Sequence, residues 1–304
     1  MICLMGTTAT GKTDAAAYLS EQISGEIISV DSSLVYRGMD IGTAKPDADF
    51  LAKYPHHLVD VRLPNQTFSV ADFYQHATVL IKQISERGKI PILVGGTHFY
   101  FNSLQQGLPQ LPPANVVMRA QITEQAKQDG WSVMHQKLAN LDAASAARID
   151  IHDAQRIQRA LEIVMQSGKT VAEHNANRNP PISNPILNIA LAYSDRTYLH
   201  KRIEQRFTLM LEQGLQKEVE GLLQDEVDPQ AASMRMIGYR QMLEFLRGEC
   251  NHKEMQNRGI VATRQLAKRQ LTWLRNQSNI VWWVDFGLKQ QDFTALSRFV
   301  NYCL

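Results

Sequence analysis

Short apolar runs alternate with amphipathic stretches along this chain. Residues 2–5 read as a buried strand, and 14–22 as a helix carrying Ala15, Ala16, Ala17 and Leu19. Residues 26–30 read as a second buried strand that delivers Asp31 to its carboxyl end. Ser69-Val-Ala-Asp72 resembles a capping box, with Asp where Glu or Gln is usual. It opens a helix whose apolar face is Phe73, Ala77, Leu80, Ile81 and Ile84 and which stops at Gly88. Residues 90–94 are another continuous apolar strand, ending in Gly95-Gly96-Thr97. Strands alternating with helices predict βαβ units and an α/β fold with a parallel sheet flanked by helices.

The alternation breaks at Pro109, Pro112 and Pro113. From 114 to about 168 the pattern is helical only, with Ile157, Leu161 and Val164 at i, i+4 and i+7. Residues 174–185 are a second loop rich in Pro and Asn, after which 186–193 return to a strand. A helical block bracketed by two such loops, between strands, reads as an insertion. The expected organisation is an α/β core of residues 1–113 and 179–304 with C-terminal helices, and an all-helical insertion domain at 114–178. Asp195 caps a pair of amphipathic helices, marked first by Leu199, Ile203, Phe207 and Met210, then by Leu215, Val219 and Leu222. The remainder is helical until 279–285, where Val281, Trp282, Trp283 and Val284 suggest a last strand.

Composition narrows the class without deciding it. The chain has 304 residues, enough for a substantial core, and a formal net charge of +2 that says little by itself. Cys3, Cys250 and Cys303 are far apart and form no C-x-x-C pair, so neither a disulfide framework nor a zinc site is expected and a reducing, cytoplasmic setting fits. No run approaches about 18 apolar residues, so no membrane span or signal peptide is expected. The first strand has almost no lead-in, and a few residues ahead of Met1 are expected.

Candidate chemistry starts at the loop after the first strand. Gly6, Thr7, Thr8, Ala9, Thr10, Gly11, Lys12 and Thr13 spell G-x-x-x-x-G-K-[ST] between a strand and a helix. The glycines let backbone N–H groups close around a phosphate, Lys12 adds a point charge, and the Thr13 hydroxyl is placed for Mg²⁺. The chain is therefore expected to bind a di- or triphosphate, in a P-loop NTPase-like sheet. Asp31 lies beside that loop, at the edge where open α/β sheets collect ligands. It could deprotonate an acceptor or hold Mg²⁺ through water, or it could be a helix cap or loop anchor. Residues 31–46 carry polar residues, glycines and a proline with no clean period, and read as a functional loop. The strand at 90–94 is followed by glycines instead of the acidic residue of an ATP-hydrolysing Walker B strand, and no H-R-D or D-F-G sequence occurs. The site looks built for group transfer. His56, His57 and His98 are near predicted loops without metal-ligand spacing and are read as structural.

Basic residues cluster twice. Arg156 and Arg159 are three apart and share a helix face. Between Glu254 and Asp285 there is no acid, yet Arg258, Arg264, Lys268, Arg269 and Arg275 are all present. Arg264, Lys268 and Arg275 fall in one stripe, with Leu266 and Trp273 opposite, facing a core. A charge run is usually a solvated face, but the missing compensating acid turns the reading towards a polyanion. The run Arg235-Met-Ile-Gly-Tyr-Arg240 adds two arginines and an aromatic, which suits phosphate contact and base stacking.

Together these motifs resemble the tRNA dimethylallyltransferases (tRNA isopentenyltransferases) of the bacterial type over essentially the full length. The resemblance is carried by GTTATGKT (6–13), DSSLVYRGMDIGTAKP (31–46), LVGGTHFY (93–100), QRIQRALE (155–162), RIEQRF (202–207), RMIGYRQ (235–241) and TRQLAKRQLTWLR (263–275). It implies transfer of a dimethylallyl group from its diphosphate to N6 of the adenosine 3′ to the tRNA anticodon. The phosphate loop would hold the donor's pyrophosphate with Mg²⁺, Lys12 and Thr13 neutralising the leaving group, and ATP is a candidate competitor there. Asp31 matches the general base, within a contact run Asp31, Ser32, Ser33 and Leu34. Thr97 matches a threonine that orients the acceptor, and Arg206 an arginine near the pyrophosphate. Arg119, then Gln155, Arg156, Ile157, Gln158 and Arg159, then Arg235, Met236, Ile237, Gly238, Tyr239 and Arg240 match tRNA-contacting positions. Lys268, Arg269 and Arg275 are assigned to RNA as well. The family's N-P-N-D sequence before the Q-R motif stands here as Asp150-Ile-His-Asp153. The implied partner is a tRNA anticodon stem-loop, met by a monomer. The rival enzymes are an adenylate isopentenyltransferase, which would not need the helical insertion or the arginine clusters, and a P-loop small-molecule kinase.

Overall fold

The expected alternation of strands and helices is present from Ile2 onward in the computed structural model, which describes residues 1–285 and 289–304. In chain order the first elements are β1 (Ile2–Gly6), α1 (Lys12–Gln22), β2 (Gly25–Val30), α2 (Ala48–Lys53), β3 (His56–His57), α3 (Val70–Glu86), β4 (Ile90–Gly95) and α4 (His98–Gln106). Then come α5 (Val116–Asp129), α6 (Trp131–Leu141), α7 (Ala143–Ala146), α8 (Ala154–Ser167) and α9 (Val171–Ala176). The chain finishes with β5 (Leu187–Ala192), α10 (Arg196–Glu212), α11 (Leu215–Gln224), α12 (Tyr239–Leu246), α13 (His252–Arg275), β6 (Val281–Val284) and α14 (Gln290–Cys303). The strands form one parallel sheet in the order β3-β2-β4-β1-β5-β6. Ser69 and Asp72 do close a capping box on α3, the shorter acid reaching back to the Ser69 backbone N–H.

Two compact units divide the chain: Met1–Leu104 with Ser183–Leu304, and Gln105–Ile182. The second unit is wider than the 114–178 expected, because its entering and leaving segments bond to each other. Asn179 N donates to Leu108 O and Gln110 N to Asn177 O, with an antiparallel bridge between Pro109 and Arg178. Pro109 thus lies in this paired segment, and Pro112 and Pro113 fall with it in the second unit.

In the first unit, Ile2 and Leu4, Ile92 and Val94, and Ile189 and Leu191 present one face of the sheet, two residues apart along each strand. Ala15, Ala16 and Leu19 of α1 cover it, with Leu296 and Val300 of α14. Alanines at the contact let α1 lie close to the strands, which fixes where the phosphate loop ends. α14, α2 and the two-residue edge strand β3 were not foreseen from the sequence. On the other side, α10 and α13 touch so closely that a Cβ on Gly259 would fall 2.1 Å from the Phe207 ring. In the second unit Ile122, Ala126, Met134, Leu138, Ala146, Ile157, Ala160 and Leu161 make a separate core. No helix among the described residues is long and apolar enough to cross a membrane.

Candidate active site

The loop between β1 and α1 is a cradle built by its glycines. A Cβ on Gly6 would meet the Leu191 carbonyl oxygen of β5 at 2.5 Å, so the backbone can pass there only without a side chain. Gly11 starts α1 in the left-handed region at φ 79°, the conformation glycine adopts at least cost. Thr7 and Thr10 turn inward and are buried, Thr10 Oγ1 donating to Thr7 O at 2.8 Å. Lys12 Nζ donates to the same carbonyl, which holds the ammonium over the loop. Thr8 departs from expectation: its backbone N–H is already committed, donating to Gln270 Oε1 of α13 at 3.0 Å.

Residues Ala9 to Asp14 line a cavity of about 350 Å³ whose other wall is Arg202, Gln205, Arg206 and Leu209 of α10. These four are i, i+3, i+4 and i+7 on one helix face. Arg202 Nε donates to Ala9 O at 2.9 Å, and Arg206 Nη2 to Thr43 O at 3.3 Å, so both guanidiniums are tethered at the rim. Burial pushes the Lys12 ammonium down to about 7, the nearby Arg206 charge adds to this, and Asp31 opposes it. Burial also lowers Arg206, again opposed by Asp31. Asp31 is therefore close enough to the cradle for its charge to be felt by both cations. Arg202 opens the RIEQRF motif at residues 202–207. Its i, i+4 spacing from Arg206 was the signal that both face the same cavity.

Asp31 stands at the end of β2 with its carboxylate divided between two tasks. Oδ1 accepts from Ser33 N at 2.9 Å and from Ser33 Oγ, closing a turn. Oδ2 has no hydrogen-bond partner among the described residues. Thr97, just past β4, accepts from Ser32 N at 3.0 Å through Oγ1 and so pins the next residue of the same turn. The carboxyl edges of β2 and β4 thus bring Asp31, Ser32, Ser33 and Thr97 together, and Leu34, half-buried, follows them.

Residues 35–46 are knitted down. Lys45, its side chain 3% exposed, bonds Tyr36 O, Asp40 and Asp60. Glu218 of α11 accepts from the backbone N–H groups of Asp40, Ile41 and Gly42 and from Tyr239 Oη. This corrects the reading of 235–240 as a base-stacking element. Tyr239 is fully buried, Gly238 is buried beneath it, and a Cβ on Gly42 would fall 2.6 Å from the Tyr239 ring. Met236 and Ile237 are half-buried, while Arg235 and Arg240 alone of this run are exposed.

The expected tRNA-facing helix is α8, in the second unit. Asp153 caps it by accepting from Arg156 N, so the variant sequence before it retains its capping acid. Ile157 is a fully buried core residue there, which corrects its place among the tRNA-facing side chains, while Gln158 is half-buried and its Nε2 donates to Arg119 O and Thr123 Oγ1. Arg119 and Arg159 both bond the fully buried Glu162 carboxylate, at 3.0 and 2.6 Å, and Arg159 also donates to Pro112 O. They stabilise a buried charge before they do anything else. Gln155 and Arg156 are exposed, and the one ion pair of Arg156 among the described residues is with Asp153 at 3.3 Å. On α13 the compensating acids come from other helices: Glu204 pairs with Arg264 and Glu244 with Arg258, each at 3.0 Å. Lys268, Arg269 and Arg275 are exposed and make no ion pair among the described residues. Leu266 and Trp273 are only half-buried; the buried face is Ala267, Gln270 and Leu274.

The parallel sheet with its cradle after β1 defines a P-loop NTPase-like α/β protein. Residues 34–277 match the family described as IPP transferase. The chain belongs to the IPP transferase family. It is 54% identical over 276 residues to a tRNA dimethylallyltransferase of Azoarcus sp. (strain BH72), covering 90% of this chain and 86% of that protein. The solved tRNA isopentenylpyrophosphate transferase of Bacillus halodurans is 34% identical with a TM-score of 0.72, covering 99% of this chain and 95% of that one. A solved eukaryotic dimethylallyltransferase described as acting on tRNA is 26% identical with a TM-score of 0.81, covering 99% and 77% of the two chains.

Proposed function

We propose that the protein transfers a dimethylallyl group from dimethylallyl diphosphate to N6 of the adenosine 3′ to the anticodon of a tRNA, in the cytoplasm. The observation that carries this reading is Asp31, with one carboxylate oxygen free of hydrogen bonds among the described residues and its charge felt across the cradle by Lys12 and Arg206. The diphosphate lies against Lys12, Arg202 and Arg206, whose charges favour departure of the anionic leaving group over the intact ester. The N6 lone pair forms the new bond to C1 as the C1–O bond to the diphosphate breaks. Asp31 Oδ2 takes the proton that N6 must lose, while Thr97 and Ser32 hold the turn that aims it. Oxygen donors suit Mg²⁺, and Thr13, a cavity-lining hydroxyl with no hydrogen-bond partner among the described residues, and the neighbouring Asp14 fit that requirement. When bound, the ion neutralises further charge on the diphosphate. An adenine leaving the stacked anticodon loop costs a few kcal/mol, which contacts to the tRNA backbone offset.

The direct test is mass spectrometry of nucleosides from unmodified tRNA incubated with the protein, Mg²⁺ and dimethylallyl diphosphate. N6-dimethylallyladenosine is expected, and its absence would overturn the reading.

The two arginines of α8 separate into different roles. Arg156→Gln is expected to reduce the salt slope of tRNA binding by about 1, as for losing one phosphate contact. Arg159→Gln instead strips a partner from buried Glu162 and should cost about 1–3 kcal/mol of stability in urea unfolding. An unchanged slope in Arg156→Gln would make that face ordinary solvated surface.

A further inference from the structure

The side-chain amide of Gln270 spans the two halves of the site. Its Oε1 accepts from Thr8 N in the cradle at 3.0 Å, and its Nε2 donates to Gly96 O after β4 at 2.9 Å. The residue is 8% exposed although it sits in the most basic helix of the chain. Gly96 immediately precedes Thr97, the residue that fixes Ser32 beside Asp31. There is no slack at this joint: a Cβ on Gly96 would lie 2.4 Å from Gln270 Nε2. One turn along α13, Trp273 stacks on His98 with ring centres 4.5 Å apart and planes 8° apart. α13 therefore grips both flanks of Thr97, through Gly96 and through His98, while its Gln270 carbonyl holds the phosphate loop. Both hydrogen bonds of Gln270 go to backbone groups, and no other side chain in the site bonds both the cradle and the β4 loop among the described residues.

We propose that Gln270 is a positioning residue that sets the distance between the cradle and the Thr97–Asp31 acceptor site, and that this distance keeps the reacting carbon on the adenine amine and off water; the proposal rests on the function inferred above. A neutral amide is the group that can accept from Thr8 N at one end and donate to Gly96 O at the other without adding charge to the cradle. In the coupled reaction C1 exchanges its diphosphate oxygen for N6, whose proton goes to Asp31. If the amine is displaced, a water molecule supplies the new C1–O bond and loses its proton to solvent, and the products are dimethylallyl alcohol and diphosphate. Misplacement by about 1 Å is enough to cost about a hundredfold in a reaction that depends on near-attack geometry.

The experiment uses the full chain with unmodified tRNA, Mg²⁺ and dimethylallyl diphosphate, comparing wild type with Gln270→Leu and Gln270→Glu. Prenylated adenosine and dimethylallyl alcohol are quantified in the same reactions. Gln270→Leu should lower kcat about a hundredfold, leave KM for both substrates near wild type, and raise the ratio of alcohol to prenylated adenosine several-fold. Gln270→Glu keeps the bond from Thr8 N and loses the donation to Gly96 O, so it should show the same split to a smaller degree. It decides alone if thermal melting shows the leucine variant unfolded. An unchanged alcohol ratio overturns the proposal whatever the rate. Wild-type protein that forms no prenylated adenosine would overturn the functional reading itself, a different result.

Discussion

Asp31→Asn is expected to abolish most prenyl transfer while leaving the loop around it in place. The amide can still accept from Ser33 N and Oγ through Oδ1, the bonds that shape the turn, but it has no carboxylate to take a proton. A positioned general base contributes about 10²–10⁴-fold, so single-turnover transfer should fall by at least about a hundredfold. Affinity for tRNA at fixed salt should stay near wild type, because the phosphate contacts that dominate RNA affinity lie elsewhere. Asp31→Ala removes both the base and the turn, and should be the slower of the two. The pair also weighs the simpler role for this residue. If the asparagine variant turned over normally and only the alanine variant failed, Asp31 would be a loop anchor and the proton would have to leave by another route.

What could be read from the sequence follows the range of the interactions involved. The cradle, the strands and the cap on α3 are local: residues 6–13, the apolar runs and Ser69–Asp72 each carry their own reason. The last helix was also local, with Phe293, Leu296 and Val300 at i, i+3 and i+7, and its pattern was there to be seen. Tyr239 was misread because Arg-x-x-Gly-Tyr-Arg looks like an RNA contact at short range. Its ring is claimed by Glu218 and Gly42, which only the fold brings near. The basic run on α13 has no acid after Glu254, yet across helix contacts Arg264 meets Glu204 and Arg258 meets Glu244, which leaves Lys268, Arg269 and Arg275 without an ion pair among the described residues. Gln270 is the extreme case, a polar residue among charges whose partners Thr8 and Gly96 are 262 and 174 positions away. Arg202 falls between these, visible by spacing once the cavity wall is known to be that face of α10.

Lys12→Met should lower kcat/KM for dimethylallyl diphosphate by about 10²–10³-fold, the range seen when one preorganised group facing developing negative charge is removed. The more telling readout is pH. In the ligand-free protein the ammonium is held down to about 7, chiefly by burial and then by Arg206, so near neutrality it is only partly charged. A diphosphate placed beside it favours the charged form and raises that value. Binding of inorganic diphosphate above pH 7 must then take up a proton, and affinity should fall towards tenfold per pH unit as pH rises. Calorimetry in buffers of different ionisation enthalpy measures that uptake, and Lys12→Met should lose it together with the extra slope. Stability must respond with the matching sign. The folded state releases this proton at about 7, whereas an unfolded lysine releases it at about 10.4. Between those values the unfolded chain binds more protons, so the stability of ligand-free wild type should rise with pH relative to Lys12→Met. Parallel unfolding curves for the two proteins across that window would mean that the Lys12 ammonium keeps its ordinary charge in the folded state, and the argument for proton-coupled diphosphate binding would end there.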